Sequence, residues 1–159
     1  MSHIIILSSN DSSIFLLQGQ GCYRKNWFLK HSIINSHPGY LPFSKGVDAF
    51  KWAVYNVMPL GATVHYVSNT TDEGVLINQE LINVAYTDTF HSVAYRLYEL
   101  EVRLLVDSID LFEKGLSANT SLSDANYRAT RRMPHSIEIA MMARFEALKF
   151  RSQNKNQEI

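Results

Sequence analysis

The sequence has a single cysteine, Cys22, no excess of either charge sign and no long apolar run. One thiol makes an intramolecular disulfide impossible and excludes a cysteine-built metal site, which suits a reducing, cytoplasmic compartment. Fifteen basic and fifteen acidic side chains cancel to a net charge of +0. A broad nucleic-acid or anionic-membrane footprint is therefore not indicated. No apolar stretch approaches the ~20 residues a membrane helix needs. The apolar run at residues 4–7 is too short for a signal peptide, and no basic region precedes it. Only four prolines and seven glycines are present, yet Pro38, Gly39 and Pro42 fall close together.

What is there suits one α/β domain. A chain of 159 residues, 46% hydrophobic and 19% charged, is long enough to bury one core and too short for two ordinary domains. The domain is expected over residues 1–150, with a polar tail at 151–159. Residues 3–9 and 14–17 read as strands with a link too short for a parallel crossover, so they predict an antiparallel hairpin. A short helix fits residues 24–30. Strands fit 32–35, 61–67 and 75–77, the last with an extension near 81–85. Val47, Phe50, Ala53 and Val54 recur at helical spacing. A longer stripe, Phe90, Val93, Ala94, Leu97, Leu100, Leu104, Leu105 and Phe112, predicts a helix from Phe90 to about Lys114, capped by residues 87–89. Residues 116–130 read as an irregular polar linker. Pro134 opens a last helix carrying Ile137, Met141, Phe145 and Leu148. The arrangement expected is a mainly parallel sheet flanked by helices.

The chemistry concentrates where the strand ending at Ile33-Ile34 runs into Asn35-Ser36-His37-Pro38-Gly39-Tyr40-Leu41-Pro42. Proline and glycine stop regular structure there within a few residues. Asn35 and His37, two apart on a strand, share one face. At the carboxyl edge of an open α/β sheet, that is where ligands bind. Acyl transfer to an amine needs a donor for the tetrahedral oxyanion and a group that moves the proton. It also needs an acid to fix that group's tautomer and charge. Asn35, His37 and Asp72 supply those three residue types if the later loop meets the earlier one. His65 beside His37 and Asp72 would also make a two-histidine, one-carboxylate metal set. The simpler account is a strand histidine packed by the other three, with no metal.

Asn35, His37-Pro38, Leu41-Pro42, Lys45-Gly46, residues 61–67 with their histidine, and Asp72-Glu73-Gly74 stand in an order that resembles the folate-dependent formyltransferases. That family includes glycinamide ribonucleotide transformylase, methionyl-tRNA formyltransferase and the sugar-nucleotide N-formyltransferases. Ser36, Gly39-Tyr40 and residues 47–49 look most like the sugar branch. The resemblance implies a Rossmann-like domain transferring a formyl group from N10-formyltetrahydrofolate, as co-substrate, to an amine such as an amino sugar on a nucleotide. It makes Asn35, His37 and Asp72 the catalytic residues. It lays the folate against Gly21, Cys22, Tyr23 and Arg24, and against Val67 and Thr70 in the later loop.

Most of the family's N-terminal half has no counterpart here. Residues 4–12 faintly resemble its opening, but Ser9 and Asp11 stand where glycines would be, and Asp11 would repel a phosphate. A formyltetrahydrofolate hydrolase, with water replacing the amine, is one alternative. A non-catalytic folate- or nucleotide-binding remnant is another. The hairpin edge or face left open would suit a second copy of the chain, giving a homodimer. Lys45 is expected to be a solvated turn residue, Arg131 and Arg132 solvated charge, Trp27 and Trp52 packing residues, and Cys22 a small packing residue.

Overall fold

The computed structural model describes residues 3–9, 12–18, 32–114, 120–124 and 126–155. Strands β1 (His3–Ser9) and β2 (Ser12–Gln18) pair antiparallel, with Ser9 opposite Ser12. This is the hairpin that the short link requires. β3 (Ser32–His37), β4 (Gly61–Tyr66), β5 (Val75–Leu81) and β6 (Thr120–Ser121) follow in the spatial order β1-β2-β3-β4-β5-β6. Helices α1 (Ala49–Asn56), α2 (Phe90–Glu113) and α3 (His135–Lys155) complete the α/β fold.

Strand direction departs from the expected parallel sheet. Only β2 and β3 run parallel among the described strands; β3–β4, β4–β5 and β5–β6 are antiparallel. The reason lies in residues 38–60. His37, at the end of β3, stands opposite Thr63, near the start of β4. The connection through α1 therefore brings the chain back to the edge it left, instead of carrying it the length of the sheet as a parallel crossover must.

Alternation divides the sheet's two faces. Ile34, Ala62 and Val64 are fully buried and join Val93, Leu97, Leu100 and Leu104 of α2 in one core. Phe50 and Val54 from α1 and Met141 and Phe145 from α3 close it. Burying each of the larger side chains stabilises the fold by roughly 1.5–3 kcal/mol. Asn35, His37, Thr63 and His65 alternate with those residues and so lie on the opposite face. A register shift between Val64 and His65 leaves Ile77 without a partner on β4. Such a bulge re-aims side chains beside it.

Helix α2 begins as residues 87–89 suggest. The Ser92 N–H donates to Thr89 Oγ1 at 3.0 Å, and the Thr89 N–H donates to Ser92 Oγ at 3.0 Å. This reciprocal pair satisfies two N–H groups the helix itself cannot. At the other end of the chain α3 continues through Lys155, past the expected start of the tail.

The stretch read as a polar linker is partly structured. Thr120 and Ser121 add a short strand to β5, the Leu122 N–H bonds Gly74 O at 2.9 Å, and Thr130 bridges Gly46. Polar composition concealed this, because the segment is held by backbone hydrogen bonds and the Thr130 hydroxyl, with Leu122 as an isolated buried apolar residue rather than part of a periodic stripe. The expected helix at 24–30, Trp27, and the four residues Gly21, Cys22, Tyr23 and Arg24 lie outside the described residues.

Candidate active site

Strand β3 delivers Asn35 and His37 side by side on the face away from α2, 9% and 1% exposed. Thr63 holds the turn that follows. Its hydroxyl donates to Gly39 O at 2.8 Å and accepts the Leu41 N–H at 3.1 Å. Gly39 is required by proximity: a Cβ there would stand 2.5 Å from Ser44 O and 2.7 Å from His37 Nε2. The space is taken by a hydrogen bond in which His37 Nε2 donates to Ser44 O at 2.6 Å. Because a carbonyl only accepts, this contact places a proton on Nε2 and leaves Nδ1 facing the site.

Asp72 comes from the β4–β5 loop. Its backbone adopts the left-handed conformation, φ 55°, which aspartate tolerates better than most residues. One carboxylate oxygen, Oδ2, accepts the Gly46 N–H at 2.7 Å and lies 3.6 Å from His37 Nδ1. The other, Oδ1, lies 3.7 Å from His65 Nε2. One carboxylate thus stands between two buried imidazoles. Both separations exceed a direct hydrogen bond and suit a bridging water or a reacting group.

His65 is the residue whose role the sequence left most open. Burial holds it below the ordinary histidine value; Asp72 pulls upward and His37 pushes further down. The ring is therefore neutral at neutral pH. Its Nδ1 lies 3.0 Å from Tyr66 O, so the single proton sits there and Nε2 carries a lone pair. Asn35 Nδ2 lies 3.4 Å from that lone pair and donates to it. His65 thereby fixes which way the Asn35 amide faces. Among the described residues no group of three or more histidine, cysteine, aspartate or glutamate side chains is arranged to hold a metal ion.

Of the expected folate contacts, Val67 uses its N–H to bond Ile33 O at 2.8 Å. Thr70 is exposed in a turn closed by Ser68 Oγ, which accepts its N–H at 3.3 Å. Together they border the loop that carries Asp72. Two other charged residues differ from their sequence reading. Lys45, expected in solvent, is 1% exposed, and its Nζ donates to Glu73 Oε1 at 2.8 Å and to Asp124 O at 3.1 Å. The buried ammonium follows the turn inward because opposite charge waits there. The signal available was Glu73, directly after Asp72, mirroring Lys45 directly before Gly46. Arg131 and Arg132 are exposed, as expected, and Trp52 packs against the core while donating to Arg131 O at 2.7 Å.

The Formyl transferase family signature matches residues 28–109, and the chain belongs to that family. It is 40% identical over 70 residues to phosphoribosylglycinamide formyltransferase of Bacillus subtilis, covering 43% of this chain and 36% of that protein. It is 29% identical over 101 residues to GDP-perosamine N-formyltransferase of Brucella melitensis, covering 63% of this chain and 39% of that one. The chain therefore spans little more than a third of the length of these curated relatives. Among solved structures, the formyltransferase PseJ from Anoxybacillus kamchatkensis superposes with a TM-score of 0.62 at 24% identity. That match covers 70% of this chain and 61% of PseJ, in complex with UDP-4,6-dideoxy-4-formamido-L-AltNAc and tetrahydrofolate. This likeness shows the Rossmann-like formyltransferase fold.

Proposed function

We propose that the chain transfers a formyl group from N10-formyltetrahydrofolate to an amine on a nucleotide-linked amino sugar, with Asn35, His37 and Asp72 as the reacting groups. The observation that carries this reading is the Asp72 carboxylate standing between His37 and His65, with the Asn35 amide alongside. The donor is supported by the tetrahydrofolate in the PseJ complex, and the acceptor by the UDP-linked 4-formamido sugar bound there. The GDP-perosamine N-formyltransferase of Brucella melitensis supports the same acceptor class.

In this reading the amine nitrogen attacks the formyl carbon and the carbonyl oxygen gains negative charge. Asn35 Nδ2 has a second N–H beyond the one given to His65, and it points this donor at the oxyanion. His37, tied through Nε2 to Ser44 O and carrying a proton on both ring nitrogens in this reading, offers its Nδ1–H as the second donor. Asp72 complements a proton on Nδ1 and takes the proton lost by the amine, through a water in the gap of 3.6 Å. The tetrahedral intermediate then collapses, expelling the N10 nitrogen of tetrahydrofolate, which takes up the proton that Asp72 received from the amine and so returns Asp72 to its carboxylate form. Residues 21–24, 67 and 70 contribute the folate-binding walls, and residues 1–150 act as one unit. A cytoplasmic location and pairing with a second copy belong to the same reading. Among the described residues no helix is long and apolar enough to cross a membrane.

Acceptor dependence tests this. Tetrahydrofolate release is followed spectroscopically with donor alone, then with UDP-, GDP- and dTDP-linked amino sugars. The expected result is release only when an amino sugar is present. Release with donor alone identifies a hydrolase, and no release under any condition leaves a binding remnant; either result overturns the transferase reading.

A further inference from the structure

Lys45 presents a problem of physical chemistry. Its side chain is among the largest fully buried ones, yet burying an ammonium is costly unless it is paired, and a well-packed apolar residue is often as stabilising. Its partners account for the burial. Nζ donates to Glu73 Oε1 and to Asp124 O, while the Lys45 carbonyl accepts the Thr130 N–H at 2.9 Å and the Thr130 hydroxyl at 2.8 Å. Val47 N–H bonds Thr130 O at 2.9 Å in the next position. One residue thus joins three segments: the turn after β3, the β4–β5 loop, and the stretch after β6.

The pairing of the first two segments is specific. Lys45 and Gly46 are consecutive, and so are Asp72 and Glu73. The Lys45 side chain grips the Glu73 side chain, and the Gly46 N–H grips the Asp72 side chain. Gly46 lies at φ 93° with the Thr130 backbone against it: a Cβ would stand 2.3 Å from Thr130 O. Asp72, whose backbone is left-handed at φ 55°, is held by the second of these bonds and adjoins the first. Lys45 also bonds Glu73 strongly enough to hold that carboxyl below the usual carboxylate range.

We propose that Lys45 is a positioning residue, whose buried ammonium, through Glu73, holds the Asp72 carboxylate at the midpoint between His37 and His65. The proposal rests on the reading of Asn35, His37 and Asp72 as the reacting groups, because only then does the position of Asp72 govern turnover. Lys45 itself touches none of the reacting atoms.

Histidine-selective NMR titration provides a readout that does not depend on activity. The titrations of His37 and His65 are followed in the wild-type chain, Asp72→Asn, Lys45→Met, Lys45→Arg and Glu73→Gln. Losing a cation acts through space to make nearby imidazoles easier to protonate; losing the grip on Asp72 makes them harder to protonate. The two explanations therefore differ in sign. In folded Lys45→Met both midpoints are expected to move in the same direction as in Asp72→Asn, by at least half a pH unit. Lys45→Arg should restore them to within a few tenths. Unchanged midpoints, or a rise, in Lys45→Met overturn the proposal. Should Lys45→Met fail to fold, Glu73→Gln carries the test, since the Glu73 side chain is 27% exposed. Its Gly46 amide proton, which Asp72 Oδ2 accepts in the wild-type chain, should move upfield and exchange faster with solvent; an unchanged Gly46 amide overturns the proposal. Where transfer is measurable, Lys45→Met should lower kcat about tenfold with the KM for donor unchanged. A chain that transfers no formyl group still gives the titration result, so the two readings fail separately.

Discussion

Replacing His37 with alanine is expected to lower formyl transfer by about 10²–10³-fold, the range seen when one oxyanion donor is removed. The loss should appear in kcat. Donor affinity should stay near the wild-type value, because the reading places folate recognition on other segments. His37 is 1% exposed and bonded to Ser44 O, so part of any loss could be structural. His37→Gln separates the two: its amide can still donate to the Ser44 carbonyl, yet it has no N–H at the Nδ1 position to offer the oxyanion. Steady-state kinetics with circular dichroism on both variants checks the prediction. A folded His37→Gln retaining more than a tenth of wild-type kcat would remove His37 from the mechanism.

The second large effect concerns stability. Glu101, on α2, is 6% exposed, and burial pushes its carboxyl up to about 8. Its backbone carbonyl accepts the Ser36 hydroxyl at 3.1 Å, which pins α2 to β3. In the folded chain this carboxyl keeps its proton to about pH 8, whereas in the unfolded chain it releases it near the ordinary value of 4.5. Between those values the folded state binds more protons, so its stability falls as pH rises. The slope approaches ~1.4 kcal/mol per pH unit, and the whole window amounts to a few kcal/mol, at most about 5. His65 acts oppositely on the acid side. Its lowered value makes the unfolded chain the better proton binder below about 6.5, so stability falls there as pH falls. Urea unfolding of wild type and Glu101→Gln at intervals from pH 5 to 9 isolates the first effect. The variant should be the more stable of the two at pH 8 and above, with the alkaline decline largely gone. An identical decline in both proteins would contradict this assignment.

Much of this arrangement could be anticipated from residue patterns, for identifiable reasons. The stripe from Phe90 to Leu105 is long and periodic, and α2 follows it. The two-residue link between β1 and β2 leaves an antiparallel hairpin as the only option. Asn35 and His37 share a face because strand alternation leaves no other outcome, and Asp72 comes within 3.6 Å of His37. Direction in the rest of the sheet was not readable, since a helix between two strands usually signals a parallel crossover. Here α1 has 8 residues, and β4 starts where β3 ends. Lys45 was misplaced because a charged residue in a proline- and glycine-rich turn ordinarily faces water. Its burial depends on Glu73, Asp124 and Thr130, which only the folded chain brings together. The segment after residue 119 was concealed in the same way, being joined to β5 and Gly46 through backbone groups that carry no side-chain signature.

The central claim is that one carboxylate set between two buried histidines, beside an asparagine amide, moves a formyl group onto an amine. The most direct measurement uses N10-formyltetrahydrofolate carrying a ¹³C-labelled formyl carbon and a nucleotide-linked amino sugar. Product mass is read for the wild-type chain and for Asp72→Asn. The label should appear on the amino sugar with the wild-type chain and fall at least a hundredfold with Asp72→Asn. Equal labelling by both proteins, or label recovered only as free formate, would contradict the account.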